Sequence, residues 1–329
     1  MPRYSFAVIL ISVAIRWIVI GVGDITTKRV LPAILAEPRS VLTAIVTRNP
    51  EKATAYGVPA WTSLDMALAE QECDAVYVAS PVSLHASQTI ACFRAGRHVL
   101  CEKPMAMNYE DALSMQRTAQ ESGRILGIAY YRRMYPQVIR AQELIRQNAI
   151  GKPVFAEATS HYWFCPGPED ERNWFINPAM AGGGPLYDIA SHRIDLMNYL
   201  FGNPLRATAH LSNAVHRYAV EDNATVIIEY DSGVRGVIDV RWHSRVGRDE
   251  FRIRGTDGEI DLTPLNSGAL IHPGGRENLP PHENLHYPCV ADFVSAVLTG
   301  TEPRSSGKTA LATAWVTDRA IRVYSEASS

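Results

Sequence analysis

The chain has 329 residues, 47% hydrophobic and 20% charged, the balance of a soluble globular protein too long for one typical core. Thirty-two Lys and Arg against 34 Asp and Glu leave a formal charge of −2, which gives no basis for a nucleic-acid or anionic-membrane partner. Five cysteines (Cys73, Cys92, Cys101, Cys165 and Cys289) are odd in number, widely spaced and without a C-x-x-C pair. Neither a disulfide framework nor a cysteine zinc site is expected, and a reducing, cytoplasmic setting fits.

Phe6 to Ile15 is apolar apart from Ser12, Arg3 precedes it, and Ser12-Val13-Ala14 has the small residues of a cleavage box. This is a weak export pattern. A spanning helix needs about 20 apolar residues, and Arg16 interrupts the run. Residues 1–15 are expected to be a short extension of the first domain, with export left open beside the cytoplasmic expectation.

Trp17–Gly21, Val41–Thr47, Ala75–Ala79, His98–Cys101 and Ile125–Ala129 are continuous apolar runs. Such runs suit strands buried on both faces of a parallel sheet. Between them, Asn49 followed by Pro50 starts a helix to Tyr56, Ser63 caps Leu64–Glu70, and Asn108 caps Tyr109–Ser122 with Gly123 as its stop. Repeated βα units predict an open, doubly wound sheet over residues 1–130.

From 131 to 329 the pattern differs. A strand over Val154–Trp163 leads to an aromatic, Pro/Gly-rich loop at 164–184 and a helix at 185–200. Alternating strands follow at 205–216, 222–230, 233–242, 248–254 and 259–263, with hairpin turns at Asp231-Ser232-Gly233 and Asp257-Gly258. Closing helices are expected at 289–299 and 308–326. This reads as a second, α+β domain with a large, mostly antiparallel sheet.

Gly21-Val22-Gly23-Asp24-Ile25-Thr26 stands at the first βα turn as G-x-G-x-x-T. The first glycine permits the tight turn. The second lets a pyrophosphate approach the backbone, and Asp24 and Ile25 open the helix on which it would rest. The second strand ends at Thr47-Arg48, where an NAD site usually carries a carboxylate. A small hydroxyl and an Arg suit a 2′-phosphate, so NADP(H) is expected over NAD(H).

Arg97-His98-Val99-Leu100-Cys101-Glu102-Lys103-Pro104 ends the fifth strand, Pro81-x-x-x-His85 follows the fourth, and Ala181-Gly-Gly-Gly-Pro-Leu-Tyr-Asp188-x-x-x-His192-x-x-Asp195 lies in the second domain. With these three motifs in order, the chain resembles the glucose–fructose oxidoreductase / inositol dehydrogenase (Gfo/Idh/MocA) family from about residue 16 to the last helix. Thr26 in place of a third glycine is a mild departure. The resemblance implies an α/β Rossmann domain followed by an α+β domain. It further implies an NAD(P)-dependent dehydrogenase or reductase that moves a hydride between nicotinamide and a sugar, polyol or related CH–OH compound, acting as a homodimer or homotetramer. Lys103, Asp188 and His192 are its implied catalytic group, with His192 the acid/base. Ser80, Pro81, His85, Glu102 and Lys103 line the cofactor, and the bond before Pro104 is often cis. Two other readings are an NAD-dependent glycosidase of the same family and a non-catalytic NADP-sensing regulator.

Independently of the family, 100° per residue brings Asp188, His192, Asp195 and Tyr199 within about 60° of one another on one face of the 185–200 helix. A stripe of that kind suits a cleft wall. Trp163 and Trp174 are candidate stacking surfaces for a sugar. Arg132 and Arg133 follow the sixth strand, and Arg133 with Asp195 is a candidate substrate contact. Asp188 and His192 have metal-ligand spacing, but a further ligand is not evident nearby and no metal is expected.

Overall fold

The computed structural model describes residues 14–328, so the export-like pattern over 1–13 lies outside the described residues. The apolar runs become β1 (Ile15–Ile20), β2 (Ser40–Val46), β3 (Ala60–Trp61), β4 (Ala75–Val78), β5 (His98–Cys101) and β6 (Leu126–Ile128). They pair in parallel in the order β3-β2-β1-β4-β5-β6. Helices α1 (Leu31–Ala36), α2 (Leu64–Glu70), α3 (Val82–Arg94) and α4 (Tyr109–Ser122) make the crossovers. The caps form as their chemistry requires. Ser63 and Asn108 side chains accept the N–H groups of Met66 and Asp111, and Gly123 takes φ 63° after α4. Asn49 also caps, but the segment it starts, Pro50–Tyr56, is a 3-10 helix.

A helix not anticipated, α5 (Pro136–Arg146), links the two parts. The second domain is built from β7 (Pro153–Trp163), α6 (Pro178–Ala181), α7 (Ser191–Phe201), β8 (Pro204–Ser212), β9 (Asn223–Tyr230), β10 (Arg235–Arg241), β11 (His243–Gly255), β12 (Glu259–Asp261), β13 (Ala269–His272) and β14 (Gly275–Asn278). These strands form one sheet in the order β14-β13-β12-β11-β7-β10-β9-β8. Its pairs are antiparallel except β7 with β10, which places the long β7 at the centre.

The last two helices tie both parts together. α8 (Tyr287–Thr299) returns to the first sheet, where Phe293 packs 5.5 Å from the Trp17 ring of β1. α9 (Gly307–Ser328) packs against α4 on one side and against α7 and β8 on the other. The carboxyl ends of β1, β4 and β5 therefore face the start of α7 across a crevice, the place where open α/β sheets bind ligands.

Candidate active site

At the first βα turn, Gly21 has φ 89°, and a Cβ there would stand 2.7 Å from the Ala79 carbonyl oxygen. Only glycine lets β1 turn this close to β4. A Cβ at Gly23 would meet nothing within 4 Å, so space is open above the helix start. Asp24 is exposed and pairs with Lys28 at 2.5 Å, and Ile25 precedes a π-helical turn, Thr26–Val30, that runs into α1. Thr26 is wholly buried in that turn, which explains how a side chain replaces the third glycine. At the end of β2 the Thr47 hydroxyl accepts the Asn49 N–H, while Arg48 is exposed with no ion pair among the described residues. Sequence reasoning missed Lys52, whose Nζ lies 3.5 Å from the Val22 carbonyl and 2.8 Å from Glu171 in the 164–184 loop. A tight glycine turn, a helix start, open space and unengaged Arg48 fit a dinucleotide.

The next residues divide into those that face the crevice and those that support it. Ser80 donates to Gln88 at 2.6 Å. His85 is buried, with Nδ1 2.8 Å from the Pro104 carbonyl and Nε2 2.9 Å from that of Ser80. Burial lowers its pKa against the pull of those carbonyls. It clamps the loop after β4, which includes Pro81, to the loop after β5. Glu102 is also buried and accepts from Tyr77 Oη at 2.8 Å, His286 Nε2 at 3.1 Å and the Lys103 N–H at 3.2 Å. Burial alone would raise its pKa, but these partners hold it at about 2. The side chains of His85 and Glu102, both expected as cofactor contacts, also contact the protein's own loops in this arrangement. His286 was missed because it lies 184 residues from its partner.

Lys103, joined to Pro104 by a cis bond, reaches across to the second domain. Its Nζ donates to the Asp188 carbonyl at 2.8 Å and to Asp188 Oδ1 at 3.1 Å. Asp188 Oδ2 accepts from Tyr162 Oη at 2.7 Å, and Tyr162 in turn accepts from Trp242 Nε1 at 2.6 Å. Burial would raise the Asp188 pKa; Lys103 and Tyr162 lower it overall, so it is a carboxylate at neutral pH. Tyr162 and Trp242 were not anticipated, since they come from β7 and the end of β10.

His192 lies one helical turn deeper. It is 2% exposed, its Nδ1 has no hydrogen-bond partner among the described residues, and its ring packs edge-on to Tyr130 (5.8 Å) and Tyr131 (5.0 Å). Burial, then the charges of Arg132, Lys103, Arg193 and the His286 ring, lower its pKa well below the ordinary value. It is a neutral imidazole at pH 7 and can accept a proton.

Lys103, Asp188, Trp174 and Trp242 line one cleft, so Trp174 shares the cleft of the Lys103–Asp188 pair. The other three substrate candidates stand elsewhere. Trp163 is exposed outside that cleft, with Arg245 stacked on it at 3.9 Å and His216 edge-on at 4.8 Å. Arg133 and Asp195 form a bidentate pair, Nε–Oδ2 2.7 Å and Nη2–Oδ1 2.5 Å, 1% exposed each. The expected stripe along the helix is broken by a π-helical turn at Leu186–Ala190, in which the Ser191 N–H bonds the Leu186 carbonyl five residues back. That turn shifts the phase between Asp188 and the residues after it. Of the two arginines following β6, Arg132 is the one whose charge reaches His192 and Asp188.

Among the described residues no group of three or more His, Cys, Asp or Glu could hold a metal ion, and no helix is long and apolar enough to cross a membrane. Residues 15–130 match the family model "Oxidoreductase family, NAD-binding Rossmann fold", and residues 138–261 match the "GFO/IDH/MocA C-terminal domain". The chain is 30% identical over 306 residues to the 1,5-anhydro-D-fructose reductase of Ensifer adhaerens, covering 89% of this chain and 91% of that one. It is 28% identical to a D-xylose 1-dehydrogenase (NADP(+)) of Haloferax volcanii, over 75% of each. The aldose-aldose oxidoreductase of Caulobacter crescentus, solved with glycerol, superposes with a TM-score of 0.85 at 29% identity over 95% of this chain and 98% of that one. The glycine turn, the Lys103–Asp188 bridge between the sheets and these likenesses converge on one conclusion: the chain belongs to the Gfo/Idh/MocA family of oxidoreductases, with an NAD(P)-binding Rossmann domain.

Proposed function

We propose that the protein interconverts an alcohol and a carbonyl on a sugar or polyol, with exchangeable NADP(H) preferred over NAD(H). The observation that carries this reading is Lys103 Nζ, held at the carboxyl end of β5 by Asp188 while a neutral His192 lies a turn away. The nicotinamide, when bound, supplies or removes the hydride. Lys103 donates to the reacting oxygen and keeps it polarised. Asp188 fixes the Lys103 ammonium and accepts from a substrate hydroxyl. His192 takes the hydroxyl proton in oxidation and returns it in reduction.

Arg48, exposed beside the Thr47 hydroxyl and without an ion pair among the described residues, supports a 2′-phosphate there. Ser80 and Pro81 frame the crevice above β4, and Trp174 is the stacking surface for the sugar. Cysteines without disulfides, four buried and Cys165 exposed, are consistent with a cytoplasmic site of action. A homodimer or homotetramer joined through the outer face of the eight-stranded sheet, where Leu205 and Ile227 are exposed, completes the reading. Titration of purified protein with NADPH and NADH, followed by nicotinamide fluorescence, tests it. Tight, exchangeable NADPH binding with turnover of a sugar or polyol is expected. Failure to bind either dinucleotide overturns it.

A further inference from the structure

Arg132 is 7% exposed, yet its Nε and Nη1 have no hydrogen-bond acceptor and its charge has no ion-pair partner among the described residues. The guanidinium carbon lies 5.0 Å from the centre of the Tyr131 ring, the ring that also packs on His192. Arg193, next to His192 on α7, is 1% exposed; it pairs with Asp249 through Nη2 but leaves Nε and Nη1 without acceptors. Lys103 and Asp188 neutralise each other, as do Arg193 and Asp249. One buried positive charge and four guanidinium nitrogens are left over beside the candidate acid/base (Nε and Nη1 of each arginine). A buried cation of this kind is costly unless an anion meets it.

The cofactor is not that anion. Arg132 follows β6, four strands from β2 and three from β1 in the order β2-β1-β4-β5-β6. At about 4.8 Å per strand, the 2′-phosphate position at Arg48 is roughly 19 Å away along the sheet and the pyrophosphate turn roughly 14 Å.

We propose that the substrate is an anionic sugar, bearing a carboxylate or a phosphate that Arg132 binds with Arg193 as the second donor, while the reacting CH–OH or carbonyl lies toward His192 and Lys103. This rests on the oxidoreductase reading for the role of the site, and the anion site stands on the arginines alone. Binding has a second consequence. The groups acting on His192 are Arg132 from the turn after β6, Lys103 from the end of β5, Arg193 on its own helix and His286 before α8; Asp188 stands one turn before it. An anion on Arg132 cancels the largest of these charges, so His192 gains proton affinity when such a substrate binds.

The test is calorimetric binding, with and without saturating dinucleotide, of matched pairs: glucuronate and gluconate against glucose, galacturonate against galactose, and glucose 6-phosphate against glucose. Turnover of each is followed in parallel. At least one acid should bind about 10²-fold more tightly than its neutral partner, and the carboxylate and phosphate arms separate the two sources of charge. Arg132→Gln should erase the preference and Arg132→Lys should keep part of it. With the acid, the acidic limb of kcat should lie at higher pH than that of kcat/KM; with a neutral sugar the two should coincide. Neutral sugars bound as well as every acid, or equal losses for both in Arg132→Gln, overturn the proposal. Dinucleotide binding without acid preference sinks the anion site alone. Acid preference without dinucleotide binding sinks the oxidoreductase reading and leaves the anion site.

Discussion

Two carboxylate–cation pairs project from the same helical stretch, seven residues apart, and they do opposite work. Asp195 and Arg133 have side chains 1% and 2% exposed, whereas Asp188 and Lys103 are 23% and 16% exposed. In the first pair four of the five guanidinium N–H donors are used: the carboxylate takes Nε and Nη2, and Arg133 Nη1 donates onward to the Arg304 carbonyl at 3.1 Å and Thr309 Oγ1 at 2.8 Å. This pair fastens α7 to the start of α9. In the second pair Lys103 spends two of an ammonium's three donors on Asp188, which leaves one without an acceptor among the described residues. A ligand can be bound only where donors or acceptors remain unspent. By that criterion Lys103 and Arg132 are the candidate ligand contacts, and Arg133 is engaged within the fold.

The largest expected effect breaks the sealed pair. Asp195→Ala leaves Arg133 buried without a counter-charge and should cost about 3–5 kcal/mol of stability in guanidinium unfolding. Arg133→Met combined with Asp195→Leu should recover most of that loss, because a packed apolar pair has no charge to desolvate. Asp188→Ala should cost much less stability, since its partner is in reach of water. If Asp195→Ala unfolds like the parent protein and instead loses substrate affinity, the contrast collapses and Asp195 returns to the substrate.

The open pair is tested by activity. His192→Ala should lower kcat by roughly 10²-fold or more at unchanged dinucleotide affinity. Lys103→Met should give a loss of similar size. Near-parental turnover in either variant would remove that residue from the chemistry.

Glu102 supplies a third carboxylate, buried but satisfied by neutral donors and a His. Its pKa is depressed to about 2, so it stabilises the fold above its ordinary value of 4.5, and this contribution is lost as pH falls from there toward 2. Unfolding free energies of the parent and Glu102→Gln proteins should differ by an amount that shrinks over that window. A difference that stays constant from pH 5 to 3 would contradict the assignment.

The contrast also marks what the sequence could and could not disclose. Local chemistry was legible: Asn49, Ser63 and Asn108 cap where their hydroxyl or amide requires, Gly21 stands at a turn too tight for a Cβ, and Lys103 follows a buried strand. Relations set by tertiary packing were not. Spacing at 100° per residue grouped Asp188 with Asp195, but the π-helical turn at Leu186–Ala190 changes the phase, and Asp195 bonds Arg133 62 residues away. Arg132 and Arg133 are adjacent and chemically identical in the sequence, and only the packing of α7 and the start of α9 decides which one is consumed. Tyr162, Trp242 and His286 carry no local signal, because their partners come from distant parts of the chain.

The smallest effect bears on the same rule at the far edge of the first sheet. Arg48, like Lys103, has donors left unspent among the described residues, but it is exposed, so water competes for them and a phosphate contact there is worth less than a buried one. Arg48→Ala should therefore weaken NADPH by only about 10-fold, in the range of a single charge-assisted hydrogen bond. NADH affinity should stay within about 2-fold, because NADH lacks the phosphate and Arg48 is too solvated to contribute otherwise. Raising the ionic strength from 0.05 to 0.5 M should shrink the NADPH difference between parent and variant, since exposed charges are screened over a few ångströms at high salt. Equal losses for NADPH and NADH would mean that Arg48 shapes the loop rather than reading the phosphate, and discrimination would then fall to Lys52, which approaches the same turn from the Val22 carbonyl.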